Sequence, residues 1–207
     1  MLRLGMFAML AIVLASATAM AGKFNKVLSI GDAAPEWKDL EGIDGKKHSL
    51  AEYKDDVLVV LFTCNSCPVA ADYEDRILAF AKAHTGEGKK VGMVAINANT
   101  IPEDRLDKMK AKALKKNFPF AYLYDPKQTT AKAYGARYTP EFFVLNKERK
   151  VVYMGAMDDK NPPAAATVNF LEQAVTATLE GKKAPDETLG RGCFIRYNAR
   201  RDDDDDR

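Results

Sequence analysis

The sequence predicts a single α/β domain in which a central mixed β-sheet is flanked by helices. Three observations predict it. Val57–Phe62 and Val91–Ile96 are continuous apolar runs rich in β-branched residues, typical of strands buried on both faces of a sheet. Segments with helical spacing follow both runs. The 207 residues, 47% apolar and 29% charged, suffice for one substantial core.

The N-terminal half contains the first of these elements. Gly42–Lys47 has the composition of a tight turn, so we expect a β-hairpin extension before the first buried strand. The strand Val57–Phe62 runs almost directly into a helix that begins at Pro68 and is stopped by Gly86 and Gly88. One face of this helix carries the residues expected in the core: Ala70, Tyr73, Ile77 and Ala81.

The middle of the chain repeats the alternation. After the strand Val91–Ile96, acids in the first turn predict a helix from about Glu103 to Lys116, with Thr100 as its candidate cap. A third strand is expected at Phe120–Tyr124. A short helix around Thr130–Tyr134 follows it, and the predicted fold therefore contains an inserted strand-helix unit.

The last elements close the sheet. Phe142–Leu145 and Val151–Met154 are apolar runs joined by a short polar link, which predicts a hairpin. A final helix is expected from about Val168 to Glu180, with Thr167 as its N-cap. Its predicted buried stripe consists of Val168, Leu171, Val175 and Leu179.

Both ends of the chain differ in character from the domain, which we expect to span residues 27–197. Arg3, the apolar run Leu4–Met20 and small residues up to Ala21 predict a signal peptide over residues 1–21 and hence an exported, periplasmic or secreted protein. The alternative is an uncleaved leader that anchors the protein to the membrane. The predicted tail, residues 198–207, contains five adjacent aspartates that repel one another, so we expect it to be disordered.

The charge pattern limits the kinds of partner that we expect. The formal net charge is +2, and basic and acidic residues are interspersed along the chain. No basic patch of the kind that nucleic acids or anionic membranes require is visible. We therefore expect no nucleic-acid partner, and no stable membrane insertion once the leader is cleaved.

The cysteines indicate redox chemistry. An exported chain with three cysteines keeps at least one thiol unpaired or uses it in exchange. Cys64 and Cys67 lie where a buried strand ends and a helix begins, and a helix N-terminus stabilises a thiolate. We expect a lowered pKa for Cys64, which would attack a disulfide, while Cys67 would resolve the mixed disulfide.

Two other uses of this cysteine pair are less favoured. On the chain-entropy model a disulfide that closes four residues stabilises by only about 2 kcal/mol, against roughly 5 for about 130 residues, so the pair is a poor structural bond. A zinc site needs four ligands, and Cys193, His48 and His84 are not spaced as the remaining ones. We expect no metal here and two surface histidines.

These residues resemble the thioredoxin superfamily, in particular its exported redoxin or peroxiredoxin-like branch. The resemblance runs from Gly31–Pro35 through the Cys64-Asn65-Ser66-Cys67-Pro68 motif to Tyr134–Pro140. It implies a thioredoxin-like fold with the N-terminal hairpin as an extension, and a cis Pro140 beside the cysteines. It also implies that Thr139 offers its backbone to a substrate chain. A cis X-Pro bond costs only about 0.5–1 kcal/mol more than trans.

The resemblance implies a thiol-disulfide oxidoreductase that needs no cofactor. Its partners would be protein or small-molecule thiols and disulfides, together with a redox partner that recycles it. The late Gly192-Cys193 segment also resembles this branch, so Cys193 is either a third redox thiol or a buried, idle one. Leu58 stands where thioredoxin has a buried acid, so another group or water must move the proton.

Two other functions remain open. The first is a thiol-dependent peroxidase with an antioxidant role, in which Cys64 forms a sulfenic acid. The proline that precedes the peroxidatic cysteine in peroxiredoxins is missing here. The second is a copper-binding assembly factor, although such factors separate their cysteines by three residues and add a histidine that the segment Tyr134–Pro140 lacks.

Overall fold

The computed structural model describes residues 22–160 and 166–198. The predicted signal peptide therefore lies outside the described residues, and so does the predicted acidic tail apart from Asn198. Within the described ranges, no helix has both the length and the apolar character that crossing a membrane requires. The predicted domain boundaries stay a prediction, although backbone N–H groups of residues 23–25 already bond to the Glu187 carboxylate.

The described residues form a central seven-stranded sheet and a second sheet of two short strands. The strands of the central sheet run in the order β2-β1-β5-β4-β3-β7-β8, and β6 pairs with β9 in the second. The strands are β1 Leu40–Gly42, β2 Lys47–His48, β3 Val57–Phe62, β4 Val91–Asn97, β5 Ala121–Tyr124, β6 Tyr138–Thr139, β7 Glu141–Leu145, β8 Val151–Gly155 and β9 Cys193–Phe194. The α-helices are α1 Pro68–His84, α2 Leu106–Lys116, α3 Thr129–Ala133 and α4 Phe170–Leu179.

The central strand is β3, and its sequence explains its place. All six of its residues are buried, because each face of the strand contacts a hydrophobic cluster. It pairs in parallel with β4 and antiparallel with β7, so the sheet is mixed, as predicted. The predicted hairpin is β1–β2, and β5 with α3 forms the predicted strand-helix unit.

The start of the second helix was predicted wrongly. Pro102–Asp104 forms a separate 3₁₀ turn, and α2 begins only at Leu106 with Arg105 at its N-cap. Thr100 does not cap the helix, because its hydroxyl donates to Asn198 Oδ1 at 3.3 Å. The two-part start matters because it turns the Asp104 carboxylate into the protein.

The last helix also differs from the prediction. It begins at Phe170, and its N-cap is Asn169, whose side chain accepts from Glu172 N at 3.0 Å. Thr167 donates to Asp159 instead. Of the predicted stripe, Leu171 and Val175 are buried together with Ala174, but Leu179 is 42% exposed because it lies in the last turn, beyond the edge of the core.

Candidate active site

The predicted site residues lie together at one end of the central sheet, on segments attached to three adjacent strands. Cys64 is the second residue after β3, and Asp104 lies in the segment after β4. The Thr139–Pro140 bond, which is cis as expected, directly precedes β7. Because β7 is antiparallel to β3, its start meets the end of β3, and Thr139 is brought against the cysteines.

The two motif sulfurs share Thr139 as a neighbour. Cys67 caps α1: its Sγ accepts from Ala70 N at 3.3 Å and donates to the Thr139 carbonyl at 3.0 Å. Cys64 Sγ lies 3.5 Å from the Thr139 hydroxyl and 3.7 Å from the Ser66 hydroxyl. Both thiols are free, and Cys64 and Cys67 are only 2% and 3% exposed. One residue before the cis proline therefore contacts both sulfurs.

The expectation that the pKa of Cys64 is lowered was wrong. The pKa of Cys67 is the lowered one, first because the Cys64 thiol donates to it, with Cys193 and Ala70 N–H as further donors. The pKa of Cys64 is raised by that same hydrogen bond, by burial and by the charge of Asp104. The physical reason is position: Cys67 occupies the helix N-cap, and Cys64 precedes it in the loop.

Asp104 holds the loop between the two cysteines. Its Oδ1 accepts from Asn65 N at 2.7 Å and from Ser66 N at 2.8 Å, and its Oδ2 accepts from Ser66 Oγ at 2.6 Å and Asn99 Nδ2 at 3.0 Å. The side chain is fully buried. A buried carboxylate with this many donors fixes the loop and places a negative charge near Cys64.

A small cavity adjoins Cys64 between α1, α2 and β5. It measures about 20 Å³ and is lined in part by Thr63, Asn65, Glu74 and Tyr122. This volume suits a single water molecule. Leu58 lies in the apolar core, and the expectation that water or another group moves the proton in its place stays a prediction.

The third cysteine joins the site through β9. In that strand Cys193 pairs with Thr139, and its side chain packs against the cluster of Cys64, Cys67 and Ala70. Cys193 is partly exposed, unlike the other two thiols. Burial and the interaction with Cys67 raise the pKa of Cys193.

The histidines lie elsewhere. His48 Nε2 is 3.1 Å from Asp44 Oδ1, and His84 Nε2 is 3.0 Å from Glu172 Oε2; both rings are partly exposed. Neither lies beside the cysteines. Within residues 22–160 and 166–198, no group of three or more His, Cys, Asp or Glu is arranged to hold a metal ion.

Comparison with known families agrees with this geometry. The model of the AhpC/TSA family matches residues 30–154, which is more than half of the chain and includes Cys64, Cys67, Thr139 and Pro140. The chain belongs to the AhpC/TSA family. It is thus a redoxin of the thioredoxin superfamily, as the sequence resemblance implied.

Several solved structures are similar to this AhpC/TSA protein. An uncharacterised conserved protein from Geobacillus kaustophilus is 34% identical with a TM-score of 0.76. The match covers 82% of this chain and 93% of the Geobacillus chain. A hypothetical protein from Sinorhizobium meliloti 1021 is 35% identical with a TM-score of 0.76, covering 83% and 96%. The C-terminal domain of a candidate thiol-disulfide oxidoreductase from Bacteroides thetaiotaomicron shares the fold at 16% identity, with a TM-score of 0.58 and coverage of 74% and 97%. The thioredoxin-like fold is thereby confirmed.

A search of curated proteins found no match to this AhpC/TSA protein.

Sequence reasoning did not identify Asp104 as a site residue of this AhpC/TSA protein. Its position after Pro102 suggested an acid that complements a helix dipole. The missed signal was Pro102 itself together with Asn97 and Asn99, two buried amides that precede it and donate to the Asp104 carbonyl and carboxylate.

Glu141, directly after Pro140, is a second buried acid of this AhpC/TSA protein. Burial raises its pKa to about 7, against the opposing effect of hydrogen bonds from the backbone N–H groups of Arg137 and Tyr138. Between pH 4.5 and about 7 the unfolded chain has released this proton while the folded chain keeps it. The free energy of unfolding therefore falls as the pH rises through this window.

We expect Glu141→Gln to flatten this pH dependence, because the neutral amide has no proton to lose. The change in unfolding free energy between pH 4.5 and 7 should become smaller by about 3 kcal/mol in total. Urea unfolding at a series of pH values measures it. The exposed Glu36→Gln variant is the matched control, and equal slopes in wild type and Glu141→Gln would contradict the assignment.

Proposed function

We propose that this protein is a thiol-disulfide oxidoreductase in which Cys64 and Cys67 cycle between dithiol and disulfide. The observation that carries the proposal is the position of the two sulfurs in one buried cluster at the end of β3, where both lie against Thr139. Two sulfurs in contact can form a disulfide without rebuilding the fold. Membership of a redoxin family supports the same chemistry.

The proposed order keeps Cys64 as the attacking sulfur and Cys67 as the resolving one. The Cys64 proton leaves to solvent, while Cys67 stays a thiol that donates to the Thr139 carbonyl at 3.0 Å. The Thr139 hydroxyl, 3.5 Å from Cys64 Sγ, can donate to the new thiolate. The helix N-cap favours a negative charge on Cys67 and so helps it to lose its own proton when it resolves the mixed disulfide.

The exchange then follows in two displacements. The Cys64 thiolate attacks one sulfur of a substrate disulfide, and the other substrate sulfur leaves as a thiolate. Cys67 loses its proton and attacks Cys64 Sγ, which releases the second substrate thiol and leaves the Cys64–Cys67 disulfide. The substrates would be protein or small-molecule disulfides, aligned along the backbone of Thr139 beside Pro140. Export on the leader 1–21 belongs to the same proposal.

A second candidate is thiol-dependent peroxide reduction at Cys64, which the AhpC/TSA family match favours. In this reaction the Cys64 thiolate displaces hydroxide from the peroxide, and Cys67 condenses with the resulting sulfenic acid. Consumption of hydrogen peroxide with dithiothreitol as donor would support it. Disulfide exchange without any peroxide turnover would leave the first proposal alone.

The test of the main proposal is a redox titration of the purified wild-type protein. Equilibration against mixtures of reduced and oxidised glutathione should give a single two-electron transition, in which peptide mapping locates the Cys64–Cys67 disulfide. The same protein should reduce insulin disulfides with dithiothreitol as electron donor. Thiols that remain reduced at every glutathione ratio would refute the proposal.

A further inference from the structure

Strand β9 covers the candidate site along the edge that a substrate would use. Cys193 and Phe194 pair antiparallel with Thr139 and Tyr138. The approach is so close that a Cβ added to Gly192 would lie 2.0 Å from the Thr139 carbonyl oxygen. Only glycine allows this contact, so the chain is shaped to bring the next residue, Cys193, onto Thr139.

The contacts of Cys193 select Cys67 as its partner thiol. Cys67 Sγ lies 3.0 Å from the carbonyl oxygen of Thr139, the residue directly opposite Cys193 in the β6–β9 pair. The Cys193 side chain also packs against the buried cluster that contains Cys67. β9 packs on α1, the helix that Cys67 caps.

The exposures of the three thiols differ in a way that suits a relay. Cys64 and Cys67 are almost completely buried, whereas Cys193 is partly exposed. With β9 in place, a bulky thiol in solution reaches Cys193 more easily than either residue of the pair. A path from the buried disulfide to the surface therefore runs through Cys193.

We propose that Cys193 is the third redox residue of this site and that it carries the oxidation of the Cys64–Cys67 pair to an external thiol. This inference rests on the proposed function of the pair. It gives β9 two roles. When β9 is docked, it presents Cys193 to Cys67. When β9 is displaced, the Thr139 edge is open to a substrate. The oxidation of the pair by a substrate and its reduction through Cys193 therefore cannot take place at the same time.

The relay consists of balanced thiol-disulfide exchanges. The Cys193 thiolate attacks Cys67 Sγ, the Cys64–Cys67 bond breaks, and Cys64 leaves as a thiolate. An external thiolate attacks Cys193 Sγ, and Cys67 leaves as the second thiolate. A second external thiol attacks the mixed disulfide at its own sulfur, which releases Cys193 and an external disulfide. Two external thiols are oxidised, and one protein disulfide is reduced.

The charges of the site agree with this order. The Cys67 anion is one of the causes that raise the pKa of Cys193, and this cause disappears once Cys67 is part of a disulfide. Cys193 thus becomes the better nucleophile in the oxidised state. In the next step Cys67 is the leaving group, and a thiol with a lowered pKa leaves faster.

The first experiment detects the relay bond in the Cys64→Ser variant. Treatment with oxidised glutathione should convert the remaining two thiols into a Cys67–Cys193 disulfide, which peptide mapping identifies. The double variant Cys64→Ser, Cys193→Ser should stop at a glutathione adduct. An adduct on Cys67 with Cys193 free in the single variant would overturn the relay. Cys64→Ala replaces Cys64→Ser if circular dichroism shows that the serine variant does not fold.

The second experiment follows recycling. Cys193→Ser should still form the Cys64–Cys67 disulfide, but reduced glutathione should reduce that disulfide at least about tenfold more slowly than in wild type. Thr176→Ser, on the exposed face of α4, is the control. Equal rates would refute the relay while the pair remains active. A wild-type protein whose pair does not oxidise would refute the proposed function and the relay with it.

Discussion

Cys64→Ser is expected to reduce insulin-disulfide reduction by a factor of at least about 10³, the scale on which the loss of a catalytic nucleophile acts. Serine keeps the shape of the side chain but cannot attack a disulfide at neutral pH. Cys67→Ser should differ in kind, because it keeps the attacking sulfur and lacks the resolving one. It should accumulate a stable mixed disulfide with the substrate at Cys64, measurable by mass spectrometry.

The pair of variants separates the two sulfurs. If Cys64→Ser trapped the mixed disulfide and Cys67→Ser did not, Cys67 would be the attacking sulfur, in line with its stabilised charge. Full activity in both variants would refute any role of the pair. Thr176→Ser serves as the folded control, and thermal unfolding checks that each variant remains native.

Asp104→Ala is expected to lower the free energy of unfolding by at least about 3 kcal/mol, since a hydrogen bond to a charged group contributes about 1.5–3 kcal/mol. The substitution leaves four donors without their acceptor, among them the amide of the buried Asn99. It also frees the Asn65–Ser66 loop. We therefore expect the Cys64–Cys67 reduction potential to change together with stability, measured by urea unfolding and glutathione titration.

The control for this prediction is Asp107→Ala. Asp107 lies in the first turn of α2, is largely exposed and forms an ion pair with the neighbouring Lys108. Its removal should cost no more than about 1 kcal/mol through the helix dipole. Asp104→Asn keeps the shape but turns one acceptor into a donor that faces other donors. Wild-type stability in Asp104→Ala would contradict the role given to this carboxylate.

The parts of the fold that the sequence predicted well are those in which burial acts on consecutive residues. β3 has the predicted bounds because its residues are apolar on both faces. Helix ends were less predictable: Asn169 rather than Thr167 caps α4, because Thr167 donates to Asp159, eight residues earlier in the chain. Such a choice between two polar residues depends on tertiary contacts.

The candidate site divides in the same way. Cys64, Cys67, Thr139 and Pro140 were predicted because short motifs carry them. The distribution of charge between the two sulfurs was not predicted, since it depends on which cysteine occupies the N-cap and on the approach of Asp104 and Cys193. Cys193 lies far from the motif in sequence, and only the β6–β9 pairing brings it to Thr139.

The arrangement of the site on three adjacent strands has a consequence for how this protein can diverge. The loop with Asp104 continues β4, the cysteines continue β3, and Thr139 leads into β7. The spacing between these segments therefore depends on the sheet, whose neighbouring strands lie about 4.8 Å apart, and on the start of α1, which holds Cys67. Exposed positions away from these strands and from the start of α1 can accumulate substitutions without altering the dimensions of the reaction centre, so new substrate preferences can evolve around the same chemistry.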